Sequence, residues 1–195
     1  MVLAMGTLAG TVPPFPVPYG LSNHGPWSPV YIAQTPPLAA AAANLGTLTV
    51  PASPAFNNLW IELSITGFSG SDSAGIRFNG DTGTNYVARY ITAVAGGVVF
   101  ADAPFVSGTS LRVSAVAGTT GHHVLVRVQN QAAVSKQCLI QTHLTTGAAA
   151  TAPTAVIAGS GEWVNTTAVI ASVQALVVGA NNFNAGSSIT VWGSN

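Results

Sequence analysis

Any chemistry in this chain has to come from few groups. There are five carboxylates (Glu62, Asp72, Asp81, Asp102, Glu162), five cations (Arg77, Arg89, Arg112, Arg127, Lys136), four histidines and one cysteine, Cys138. His122 and His123 are adjacent in a segment that alternates as a strand, so their side chains point to opposite faces and cannot share a metal without a bulge. His24 and His143 lie far from that pair, and a His/carboxylate triad would need distant pieces to meet. The chain has no His-Glu-x-x-His zinc pattern, no Gly-x-Ser-x-Gly nucleophile elbow and no phosphate-cradling glycine loop. Glycoside hydrolysis requires two close carboxylates of divergent pKa, and the five here are scattered singly.

Asp72 and Asp81 come nearest to a cation loop, which ordinarily gathers several acidic ligands in a compact array. The competing reading of S-D-S-A-G-I-R-F-N-G-D-T-G-T-N is a tight turn. There Asn79-Gly80 supplies positive φ and Asp81 bonds local amides. Cys138 has no base near it and reads as a small buried hydrophobe. These residues indicate a protein that is not an enzyme and holds no cofactor or metal.

Such sparse charge shapes the partners as well. Ten charged residues in 195, five of each sign, make 5% of the chain, against about 25% in an ordinary soluble domain. A folded monomer of this mass exposes about 8,600 Å², or roughly one charge per 860 Å². A surface this neutral is expected to be covered, by copies of itself or by another protein. Five cations cannot supply a phosphate-neutralising stripe, so nucleic acid is excluded as a partner. A polybasic membrane patch is missing for the same reason. No window holds the ~18 apolar residues of a spanning helix, and the first residues lack the basic start of a secretory leader. One cysteine fits folding in a reducing cytoplasm.

Proline divides the chain. Ten of the twelve fall between Pro13 and Pro54, so residues 11–37 cannot be helix and should be extended or polyproline II. This stretch has no charge but carries Phe15, Tyr19, Trp27 and Tyr31. A preorganised segment with spaced aromatics loses little entropy on docking and buries large anchors. Residues 1–44 are therefore read as an arm, docked on its own domain or on a neighbouring subunit, with a free tail as the third alternative. The four aromatics are its assembly-contact candidates.

From Leu45 onward the apolar period is two. Leu59, Ile61, Leu63 and Ile65 alternate with Trp60, Glu62, Ser64 and Thr66. The same pattern marks 76–78, 86–90, 111–115, 124–128, 138–144, 169–177 and 189–191, with weaker strands at 46–50 and 97–101. Asn79-Gly80 predicts a hairpin between 76–78 and a return strand at 86–90. Ala39–Ala43 is the one candidate helix. Nine or ten strands over 45–195 predict an all-β fold: an antiparallel β-sandwich, jelly-roll-like, preceded by the extended arm. With only Lys136 available to guard them, sheet edges look undefended. The strand cations are expected to pair with the scattered carboxylates.

One motif carries a resemblance. Ile76-Arg77-Phe78-Asn79-Gly80-Asp81-Thr82-Gly83-Thr84-Asn85-Tyr86 resembles a hairpin of β-sandwich virion proteins of tailed bacteriophages. Phe183 to Gly193 is similar to their closing strand, and Trp163 to Val173 to the strand before it. The likeness spans roughly residues 59–193 and leaves the arm outside. It implies a structural virion protein, foremost a capsid decoration (cement) protein. That protein would be a homotrimer bound to the major capsid protein on the virion exterior, made in the host cytoplasm. The alternative is a tail, baseplate or fibre component whose Trp60, Trp163 or Trp192 stacks on host glycans.

Overall fold

A computed structural model describes residues 29–52, 55–94, 97–99, 105–114, 120–144 and 154–195, with backbone alone at 97–99 and 105–107. Among the described residues thirteen strands make two antiparallel sheets: β1 (Val30–Gln34), β2 (Asn44–Thr49), β3 (Asn58–Ile65), β4 (Ala74–Phe78), β5 (Tyr86–Val94), β6 (Gly97–Val99), β7 (Phe105–Gly108), β8 (Leu111–Arg112), β9 (His122–Gln129), β10 (Lys136–Leu144), β11 (Ala155–Trp163), β12 (Ser172–Val177) and β13 (Ser188–Ser194). The larger sheet has nine strands, in the order β1-β13-β3-β9-β10-β11-β5-β6, with β7 also on β5; the smaller runs β2-β12-β4-β8. The chain passes repeatedly from one sheet to the other, as in a jelly roll. The fold is a β-sandwich.

Alternation sets what lies between the layers. Leu59, Ile61 and Leu63 of β3, Val124, Val126 and Val128 of β9, and Cys138 and Ile140 of β10 face Ile76 and Phe78 of β4 and Val173 and Ala175 of β12 across the core. At roughly 2 kcal/mol for each large side chain fully buried, this layer dominates the stability.

Three expectations are corrected. The hairpin at Asn79-Gly80 does not form: Asn79 and Gly80 take the positive φ that the pair favours (53° and 66°), and the Asp81 amide donates to the Phe78 carbonyl at 2.9 Å. The chain nevertheless leaves the smaller sheet there, and β5 pairs with β11 in the larger one. The Ala39–Ala43 helix is absent. Ala42 and Phe183 exchange backbone hydrogen bonds instead, because a helix this short cannot repay its own nucleation. The strand expected over 163–173 is split, β11 ending at Trp163 and β12 starting at Ser172.

Edges prove to be managed without lysine. β1 and β2 each carry an irregular register, prolines flank β1 at 29, 36 and 37, and β8 is two residues long. Bulges, prolines and short strands all discourage edge pairing.

Candidate assembly face

The turn at residues 76–86 is a structural cross-link. The Asp81 carboxylate accepts hydrogen bonds from Trp163 Nε1 (2.7 Å), Asn85 Nδ2 (2.9 Å) and the Gly83 amide (2.8 Å). Burial pushes its pKa up, but these donors outweigh burial and hold it below the ordinary carboxylate value. Tyr86 Oη accepts from the Phe78 amide at 2.9 Å and donates to the Phe78 carbonyl at 3.3 Å. The Asn79 amide group reaches β12, donating to Val169 O and accepting from the Ala171 and Ser172 amides. Phe78, Tyr86 and Trp163 pack ring on ring beneath. The motif ties together the two sheets at a corner.

Asp72 is used in the same way, as an acceptor that ties loops together. It accepts from the Ser73, Gly179 and Asn181 amides and from Asn181 Nδ2. Burial raises its pKa, and these donors more than reverse that. Among the described residues no three His, Cys, Asp or Glu side chains gather closely enough to hold a metal.

The histidines divide between the faces, as adjacency requires. His122 is buried, with Nδ1 3.1 Å from Ser114 Oγ and its ring edge-on to Phe68. Burial lowers its pKa to about 4. His123 is exposed and meets Glu62 at 2.7 Å, with His143 directly opposite on β10. Distant pieces do meet here, a juxtaposition sequence spacing does not reveal, but an exposed pair of this kind contributes little to stability. Burial raises the Cys138 pKa, leaving it an inert thiol.

Three of the cations reach backbone carbonyls. Arg77 Nε donates to Thr109 O and Arg112 Nε to Ser114 O. Lys136 is buried in β10, its Nζ donating to Val134 O and Asn165 O. Arg127 lies over the Trp60 ring, 5.2 Å from its centroid, within cation–π range.

What remains is the outward face of the nine-stranded sheet. Register places one row across seven strands: Tyr31, Trp192, Trp60, Arg127, Leu139, Ser160 and Arg89. Residues directly opposite in antiparallel strands share a face. Leu139 is 61% exposed and Tyr31 55%; Ile91 and Val156 on neighbouring rows are exposed too. Beside this row a groove of about 950 Å³ is lined by Asn58, Arg127, Gln129, Gln131, Gln137, Leu139 and Glu162, among others.

Of the four arm aromatics, only Tyr31 lies among the described residues. It sits on edge strand β1, at the end of that row. Phe15, Tyr19 and Trp27 lie outside them. Residues 35–42 are stitched to the C-terminal segment: Thr35 N bonds Ile189 O, Leu38 N bonds Ser187 O, and Gly186 N bonds Leu38 O. Trp163 is wholly buried, which removes it as a glycan-stacking surface, whereas Trp60 and Trp192 are half-buried on the outer face. Comparison of the chain with protein-family models, with curated proteins and with solved structures finds no match.

Proposed function

We propose that this is a non-enzymatic structural protein of a bacteriophage virion. In this reading it is a capsid decoration protein that binds the assembled major-capsid lattice from outside as a homotrimer. The observation that carries the reading is the outward sheet face: Leu139, Tyr31, Ile91 and Val156 stand exposed on a chain with ten charged residues. A face built this way adds nothing to the sandwich core and invites cover by protein. The resemblance of the 76–86 motif and of the closing strand supplies the virion context.

The mechanism is linkage. A ligand that binds only the assembled shell stabilises that state, and many copies with modest interfaces add up. Co-sedimentation with empty shells tests it, comparing the full chain with one starting at Pro29. The cut falls at 28 because residues 30–42 bond to the sandwich. Binding by the full chain and loss on truncation is the expected result. A full chain that stays in the supernatant overturns the reading.

A tail or fibre position is the second reading, favoured by the amide-lined groove beside Trp60. Amides and an aromatic ring are groups that suit sugar hydroxyls and sugar faces. Retention on immobilised host glycans, without shell binding, would select it.

A further inference from the structure

Asn79-Gly80 is the one Asn-Gly pair in the chain, and an asparagine carboxamide can react with the peptide that follows it. The Gly80 nitrogen, once deprotonated, attacks Asn79 Cγ. The new C–N bond closes a succinimide ring, and Nδ2 leaves as ammonia. Water then opens the ring at either carbonyl, giving aspartate or, with one more carbon in the main chain, isoaspartate. Nothing is oxidised or reduced. Glycine in the second position favours the attack, because no Cβ crowds the nitrogen.

The folded corner puts this carboxamide to another use. Its Oδ1 accepts from the Ala171 amide at 2.7 Å and the Ser172 amide at 3.0 Å, and its Nδ2 donates to Val169 O at 2.8 Å. The main chain on either side is tied as well. Asn79 N donates to Ser172 O at 3.0 Å and Asp81 N to Phe78 O at 2.9 Å. Both residues sit at positive φ, a conformation that glycine and asparagine tolerate best. Ring closure requires the side chain to turn its face to the Gly80 nitrogen, and its three hydrogen bonds resist that turn. The two amides on Oδ1 also polarise the carbonyl, but without an aligned nucleophile a polarised carbon does not react.

We infer that Asn79 is a self-modification site, kept closed by the folded corner and opened by unfolding. The consequence is directional, because neither product rebuilds the corner. Aspartate still accepts from the Ala171 and Ser172 amides, but it sets a carboxylate oxygen against the Val169 carbonyl, where Nδ2 donated, and leaves that acceptor unmet. Isoaspartate also lengthens the turn, which carries the side chain away from its β12 partners. Each excursion to the unfolded state therefore withdraws a fraction of the chains, and the stability of the protein becomes a rate.

The test follows position 79 in the full chain, held in mildly alkaline buffer either folded or unfolded in urea. A synthetic peptide of residues 74–86 is incubated alongside. Digestion and mass spectrometry read aspartate and isoaspartate at that position. The urea-held chain and the peptide should convert at similar rates. The folded chain should convert about a hundredfold more slowly, as three hydrogen bonds of ordinary strength imply. A folded chain less than tenfold slower than the peptide would overturn the inference, since the corner would then give no shelter. Urea-held chains are also returned to native buffer at intervals, with chains held in mildly acidic urea, where the ring does not close, as the refolding reference. Recovery of the folded signal should fall in step with conversion at position 79. Full recovery of chains that carry isoaspartate there would overturn the one-way step.

Discussion

The two faces of the nine-stranded sheet are made by alternate residues of the same strands, yet they obey different rules. Inward, Ile61, Val126 and Ile140 are sealed, and at the corner each polar group of Asp81, Tyr86 and Trp163 has a partner. Outward, the matching positions Trp60, Arg127 and Leu139 are half-buried or open, and Trp60 Nε1 has no hydrogen-bond partner. The face that folding requires is sealed by packing, although His122 Nε2 on it also lacks a hydrogen-bond partner. The other is left open because folding does not call on it, which is why we assign it to assembly. Substitutions on the inner side should therefore cost stability, and those on the outer side should not.

Asp81→Ala should have the largest effect. It strips the acceptor from Trp163 Nε1 on a ring with no exposed surface and from two further donors. Hydrogen bonds to charged groups contribute about 1.5–3 kcal/mol, and a stranded buried donor costs about 1–3 kcal/mol. A loss of about 3–4 kcal/mol in urea unfolding is expected. A loss below about 1 kcal/mol would show that the corner does not tie the sheets.

Acid should come next. His122 has a folded pKa of about 4 against 6.5 unfolded, so between those values the unfolded chain binds more protons. Stability is then fully present above pH 6.5 and falls as pH drops toward 4, by about 3 kcal/mol in all. Asp72 and Asp81, both held below 3.8, add a second loss only at lower pH, as each protonates. Melting curves from pH 7.5 to 4.5 should show the first step in the native chain and lose it in His122→Leu. A flat native profile would contradict the buried neutral imidazole.

The sandwich was legible because most strands bury only one face, and a period of two survives wherever that holds. β11 escaped because its inner positions Gly159 and Gly161 carry no side chain to mark the period. A Cβ at Gly159 would lie 2.6 Å from the Arg89 carbonyl and 2.5 Å from the Tyr90 ring; one at Gly161 would lie 2.4 Å from Leu111. β1 escaped because prolines surround it. At Asn79-Gly80 the turn type was readable but the destination was not, since φ fixes a reversal and not which sheet receives the next strand. The outer row was invisible to sequence because cross-strand register, not spacing along the chain, brings Trp60, Arg127 and Leu139 together.

The same chemical edit made on both faces gives the sharpest contrast. Trp163→Phe removes an indole N–H bonded to Asp81 at 2.7 Å and shrinks a fully buried ring, and should cost about 2 kcal/mol. Trp60→Phe removes an N–H that has no acceptor from a half-buried ring under Arg127. Deleting a donor that was never satisfied forfeits no hydrogen bond, and a weaker cation–π contact at a partly solvated site costs about 0.5 kcal/mol or less. Parallel unfolding curves at neutral pH read both. If Trp60→Phe proves as costly as Trp163→Phe, the outward face is a second core that folding depends on, and its assignment to assembly falls.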